Sequence, residues 1–189
     1  MGIRRVVTGH TKERKTTIAS DSTVDGETAA PFPGFEQHTI WGADAPPTLP
    51  NDGSMAPFAQ YFPPLGGFRF TVVTFEPESS TKLTYVDPET VRSELETLWP
   101  GLVATQDPDN PRMHASATTD FVYVISGDIS LELGDGQEVH LSAGDTLIQN
   151  GTRHAWHNKS KKPCRMVVCL VGANQQPGSA SRLHNSKIP

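Results

Sequence analysis

The sequence predicts an all-β domain, an antiparallel sandwich or barrel with an N-terminal hairpin and arm and one inserted helix. Three observations carry this. Between Met113 and Ala173 the chain falls into short β-prone segments: "DFVYVISG", "ISLELGDG", "QEVHLSAGD", "TLIQNG", "HAWHNKS" and "PCRMVVCLVGA". Turn signals at Gly127-Asp128, Gly134-Asp135-Gly136, Gly144-Asp145 and Lys159 to Pro163 separate them at close, even intervals, as antiparallel β architecture requires. Only the stretch after Asp87 repeats its apolar residues at a convincing helical spacing.

In chain order, the β-prone runs Arg4 to Thr8 and Thr16 to Ser20 flank a charged link and predict a hairpin. From Asp21 to Pro64 the composition turns to Pro, Gly, Ala and acidic residues, which predicts a wrapping arm with one short strand near His38 to Trp41. "GFRFTVVTFEP", Gly67 to Pro77, reads as a strand with Arg69, Thr71, Val73 and Phe75 on one face. Asp87 is suited to cap a helix, Pro88 to start it, and Val91, Leu95, Leu98 and Leu102 to form its apolar stripe, until "WPGL" stops it. The expected division is a hairpin and arm over 1–66, a barrel over 67–173 with a helical insertion at 88–102, and a polar tail over 174–189.

The 189 residues suit one domain, and 16 glycines with 16 prolines suit many turns and loosely built arms. The net charge of −5 comes without a basic stripe, so no nucleic-acid partner is expected. The apolar runs are strand-sized, and "MGIRRVVTGH" has no signal core. Cys164 and Cys169 fall on opposite faces of one strand and cannot pair with each other, which suits a reducing, cytoplasmic setting. Neither a nucleophile-elbow motif nor a glycine-rich phosphate loop is present.

Alternation places Asp120, Val122 and Val124 on one face of their strand and Phe121, Tyr123 and Ile125 on the other. His154, Trp156 and Asn158 likewise share a face, with His157 opposite. On these residues the chain resembles the cupin superfamily. In place of that family's first motif stand His114, Ser116 where a second histidine is usual, Asp120 where a glutamate is usual, and Gly127. In place of the second stand Gly144-Asp145, Gly151, His154 and Asn158, with Gln149 at the usual proline and a gap one residue shorter.

The resemblance covers roughly Gly67 to Ala173 and implies a jelly-roll β-barrel, the double-stranded β-helix. It also implies a divalent metal held by His114, Asp120 and His154, the same three residues being the catalytic candidates. Two imidazoles and a carboxylate suit Fe(II) and oxygen chemistry, or Zn(II) with a bound water. Ser116 removes one family ligand and Asp120 shortens the carboxylate arm. Asp120 has a turn-capping role as its alternative. Arg69, Ser116, Gln149 and Trp156 are the substrate-binding candidates: a guanidinium for a carboxylate or enolate, a water-orienting hydroxyl, an amide partner and an apolar wall.

His10, His38, His140 and His184 read as solvated. Residues of the arm and the helix are expected to complete the pocket, and the arm to join two copies as a homodimer. Three functions stay open. The first is an Fe(II) oxygenase of phenolic, enolic or keto-acid compounds. The second is a Zn(II)-dependent decarboxylase, dehydratase, isomerase or cyclase. The third is a small-molecule-binding barrel without catalysis.

Overall fold

The structure, a computed structural model, describes residues 2–81 and 87–175. Strands β1 (Ile3–His10) and β2 (Thr16–Val24) form the expected hairpin, each longer than its β-prone run. They are followed by β3 (Glu27–Thr28), β4 (Phe35–Ala43), β5 (Phe68–Phe75) and helix α1 (Pro88–Leu98). Next come β6 (Thr118–Ser126), β7 (Asp128–Leu133), β8 (Glu138–Ser142), β9 (Thr146–Asn150), β10 (His154–His157) and β11 (Cys164–Gly172). A six-stranded sheet has the order β3-β4-β5-β11-β6-β9, and a three-stranded sheet the order β10-β7-β8. All pairings are antiparallel, as in a jelly-roll barrel.

Alternation works as the sequence implies. Val122 and Val124 turn inward, 4% and 0% exposed, while Phe121 and Tyr123 turn outward at 48% each. Val73, Ile129, Leu141, Cys164 and Met166 join them in the core between the sheets. Each fully buried aliphatic side chain of this kind contributes about 1.5–3 kcal/mol. Gly127, at φ 77°, closes the turn after β6. A Cβ there would meet the Pro163 carbonyl oxygen at 2.3 Å, so only glycine fits.

The arm holds more structure than expected. Instead of a short strand near His38 to Trp41, it supplies the nine-residue β4, which pairs with β5 inside the large sheet. Buried polar residues hide this strand from an apolar-alternation reading. Gln37 is 2% exposed, donates to the Thr39 hydroxyl and accepts from the Tyr61 hydroxyl at 2.7 Å. Hydrogen bonding keeps the cost of such burial low. His38, read as solvated, is fully buried on the same strand. His184 lies outside the described residues.

Helix α1 begins as expected: the Asp87 carboxylate accepts from Thr90 N–H at 3.0 Å, ahead of Pro88. It ends at Leu98, short of residue 102, because the residue before Pro100 is pushed out of helical conformation. Leu95 and Trp99 (2% exposed each) and Leu102 pack against Ala29 and Phe32 of the arm. Phe35 meets Trp99 edge-on at 5.4 Å. Polar clamps hold the same junction: Ala30 N–H donates to Glu94 at 2.8 Å and the Trp99 indole to Glu27 at 3.3 Å.

Trp99→Ala removes the centre of this cluster. It should cost about 3–5 kcal/mol in urea unfolding, with the slope against denaturant unchanged. A loss under about 1 kcal/mol would show that the helix–arm contact does not carry the fold.

Candidate active site

His114 follows the helix in an extended stretch outside the named strands, and it pairs with the first residue of β10. His114 N–H donates to His154 O and His154 N–H to His114 O, both at 3.0 Å. Residues that exchange both bonds across an antiparallel pair project their side chains to one face. The two imidazoles therefore lie side by side, ring centroids 4.3 Å apart. Gln106 bridges the other edge of His114. Gly151 lets the turn before β10 close up: at φ 60°, its Cβ would sit 2.8 Å from the Ser116 carbonyl oxygen.

His154 is 3% exposed, and its Nδ1 lies 2.8 Å from Thr152 O. A carbonyl only accepts, so Nδ1 carries the proton and Nε2 keeps its lone pair. Burial, and then the neighbouring His114, pull the His154 pKa down to about 3; burial also lowers that of His114. Both rings are neutral near pH 7. Asp120 projects from β6 into the same cavity. Burial raises its pKa to about 6, against the opposing pull of the Thr118 hydroxyl. Its Oδ1 is buried without a hydrogen-bond partner, a state that costs about 1–3 kcal/mol until a ligand satisfies it.

The cavity measures about 470 Å³. Phe75 and Trp156 form its barrel side, Phe32, Phe35, Tyr61 and Phe62 its arm side, and Leu95 and Trp99 its helix side. Trp156 stands edge-on to His154, centroids 6.1 Å apart. Glu78 and Arg112 also line it and pair with each other at 2.7 Å. The individual arm aromatics escape sequence reading because they come from an aperiodic segment. Their only signal is their number within a stretch otherwise rich in Pro and Gly.

The remaining candidates divide. Trp156 lines the cavity as expected. Arg69 does not: it is 2% exposed, donates to Ala43 O, Phe68 O and Gln60 O, pairs with Asp44 at 2.5 Å, and lies over the Phe58 ring. It is a clamp on the arm rather than a substrate ligand. Ser116 Oγ bonds Thr118 Oγ1 at 2.7 Å and so supports the group that holds Asp120. Gln149 bonds both the carbonyl and the hydroxyl of Thr152, bracing the turn that aims His154. His157 faces away and bridges Glu78 and Glu132, 2.9 Å from each.

The fit to a metal is partial. Two neutral imidazoles and an orphaned carboxylate oxygen are the right donors for a divalent cation. Their placement is not that of the expected three-ligand set. Among the described residues, no three His, Cys, Asp or Glu side chains converge closely enough to hold one ion. The histidines stand at the edge of the small sheet and Asp120 on the large one, so they line one cavity from different walls.

A family model for the cupin domain matches residues 95–170, the stretch that carries all three groups. Over 51 residues it is 41% identical to oryzines biosynthesis cluster protein J of Aspergillus oryzae, covering 27% of this chain and 28% of that protein. It is 40% identical over 62 residues to phomopsin biosynthesis cluster protein C' of Diaporthe leptostromiformis, covering 32% of this chain and 33% of that protein. These matches span a third or less of either relative. Among solved structures, the cupin domain of an XRE family transcriptional regulator from Enterobacter cloacae aligns at TM-score 0.35 and 14% identity, over 57% of this chain and 83% of that one. Among the described residues no helix is long and apolar enough to cross a membrane.

The two shifted groups act on stability with opposite signs. Folded His154 takes its proton near pH 3 and the unfolded imidazole near 6.5. Between these values the unfolded state binds more protons, so stability falls as pH drops. Folded Asp120 takes its proton near pH 6 and the unfolded carboxylate near 3.8, so in that window folding gains as pH drops. In melting temperature against pH, His154→Gln should flatten the acid limb and Asp120→Asn should steepen it. Each full proton difference is worth about 1.4 kcal/mol per pH unit. Superimposable profiles for the three proteins would contradict these environments.

Proposed function

We propose that this chain is a cupin enzyme of small-molecule biosynthesis that takes a ring-bearing, largely apolar compound into the barrel and moves a proton on it. Carbonyl, enolic, phenolic and keto-acid compounds are the substrate class. The observation that carries this reading is the aromatic cavity ending on ionisable groups, two held neutral and the third, Asp120, with its pKa raised to about 6. A group that titrates near the working pH both accepts and returns a proton. Asp120 as carboxylate takes the proton from carbon beside the carbonyl. It then returns it to another carbon of the same molecule, to the oxygen of a second carbonyl on which the carbanion has closed a ring, or to a leaving hydroxyl that departs as water. Isomerisation, dehydration and cyclisation all balance in this way without an oxidant. Neutral His114 and His154 anchor the polar end, and Phe75, Trp156 and the arm aromatics exclude water from it. The relatives named for oryzines and phomopsins clusters support a setting in small-molecule biosynthesis.

A metal-dependent reading is favoured by one observation, the pair of neutral imidazoles with Asp120 Oδ1 left unbonded. Bound Fe(II) would supply oxygen activation, and bound Zn(II) a Lewis acid.

Incubation in D2O with a panel of phenolic, enolic and keto-acid compounds should incorporate deuterium at carbon. Asp120→Asn should slow this by about 10²–10⁴-fold while leaving the binding of unreactive analogues within a few-fold. Turnover that consumes dioxygen stoichiometrically would replace the proton-transfer reading with the Fe(II) oxygenase. A rise in melting temperature with Zn(II) or Fe(II) alone, lost in both His114→Ala and His154→Ala, would establish the metal. No deuterium incorporation and no turnover with any member of the panel, together with metal content unchanged in His154→Ala, would leave a binding barrel.

A further inference from the structure

The arginine expected to meet a substrate carboxylate, Arg69, clamps the arm, but a different one stands at the cavity. Among the described residues that line it, Arg112 is the single Lys or Arg. Its side chain is 48% exposed, which places it where the cavity meets solvent. Its backbone carbonyl lies 3.5 Å from His114 Nδ1, so it borders the histidine wall. The turn that carries it is fixed. The Asp107 carboxylate accepts from Asp109 and Asn110 N–H at 2.8 and 3.1 Å, and Asp107 N–H donates to Met113 O at 2.8 Å. Arg153 pairs with the same carboxylate.

The Arg112 guanidinium has donors left over. An arginine presents its N–H groups as a planar fork, and the side-chain partner found for this one among the described residues is Glu78, whose Oε1 accepts from Nη1 at 2.7 Å. An ion pair exposed on both sides, 48% and 36%, contributes little and exchanges readily. Glu78 does not depend on it. The same Oε1 meets His157 Nδ1 at 2.9 Å, and His157 Nε2 meets Glu132 at 2.9 Å. Burial acts to raise the Glu78 pKa, yet the His157 bond and the Arg112 charge outweigh it and hold it below its ordinary value. Glu78 is thus a resident carboxylate on Arg112, in the place that a ligand's carboxylate would take.

We propose that Arg112 reads a carboxylate on the ring-bearing compound that the cavity takes in, and that this carboxylate takes Arg112 over from Glu78. The two oxygens of a carboxylate match the guanidinium fork, and its single charge matches the single cation. A phosphate ester, with about two negative charges, would press its second charge on Glu76 and Glu78, which line the same opening. The substrate class narrows accordingly, from carbonyl, enolic, phenolic and keto-acid compounds to those that carry a carboxylate. The ring lies among Phe75, Trp156 and the arm aromatics, and the carboxylate stays at the solvent end. Arg112 determines specificity and carries no proton. The inference rests on the cavity being a site for ring-bearing compounds and does not need the proton transfer proposed there.

Isothermal titration calorimetry of the full chain with naphthoate, naphthamide and naphthyl phosphate tests it, since none of the three has a proton to exchange at a carbon beside a ketone. Naphthoate should bind at least about 10-fold tighter than naphthamide. Arg112→Gln should bring naphthoate down to the level of naphthamide, with naphthamide itself within about 2-fold of its original affinity. Arg112→Lys should recover part of the loss, because it keeps the charge and loses the fork. Glu78→Gln should tighten naphthoate a few-fold, and the gain should vanish in the Glu78→Gln/Arg112→Gln double variant. Equal affinities for acid and amide in the unaltered protein overturn the inference and leave the cavity reading in place. So does an acid preference that persists in Arg112→Gln, a gain that survives in the double variant, or tighter binding of the phosphate. Binding of none of the three overturns the cavity reading and this inference together.

Discussion

The site depends on two backbone hydrogen bonds, exchanged between His114 and His154. Neither residue needs side-chain affinity for the other. Antiparallel pairing puts both side chains on one face at close range, and the imidazoles are neighbours because the main chains are. Gly151 permits that pairing, since any larger residue would press on the Ser116 carbonyl. Thr152 then selects the His154 tautomer, and Gln149 holds Thr152. A short polar turn thus converts a strand pairing into a chemical orientation.

The electrostatics follow from the walls. Aromatic side chains from the arm and the helix close a cavity that the barrel strands alone would leave open. Their low polarity makes charge expensive inside. His154 stays neutral for that reason, and Asp120 holds its proton to a pH two units above its ordinary value. Ser116 and Thr118 partly oppose this on the carboxylate by supplying a hydroxyl donor. The helix–arm cluster around Trp99 is therefore part of the site, although Trp99 stands apart from the histidines in sequence and in element.

Most of the barrel was legible in the sequence because its strands are local patterns. Alternation named the inward residues of β6 and β10, and glycine-rich turns marked where each strand stopped. The helix start was legible from Asp87 and Pro88, while its end was not, because Leu102 continues the apolar stripe beyond the last helical turn. β4 was only glimpsed, since Gln37 and His38 are buried and polar and so carry none of the apolar alternation of an exposed-edge strand. Motif resemblance pointed to Ser116, Gln149 and Asp120 along the chain, yet it did not reveal that Ser116 hydrogen-bonds Thr118 and that Gln149 hydrogen-bonds Thr152.

By itself the sequence determined which side of each strand faces inward and which residues carry ionisable groups. Side-chain parity and residue chemistry are properties of a few consecutive positions. Tertiary structure alone decided that Asp120 would stand on a different wall from the histidines, that Arg69 would be spent on the arm, and that an aperiodic segment would line the cavity. Those outcomes depend on which distant backbones pair and which buried polar atoms find partners, and both are settled only when the two sheets close around a shared interior.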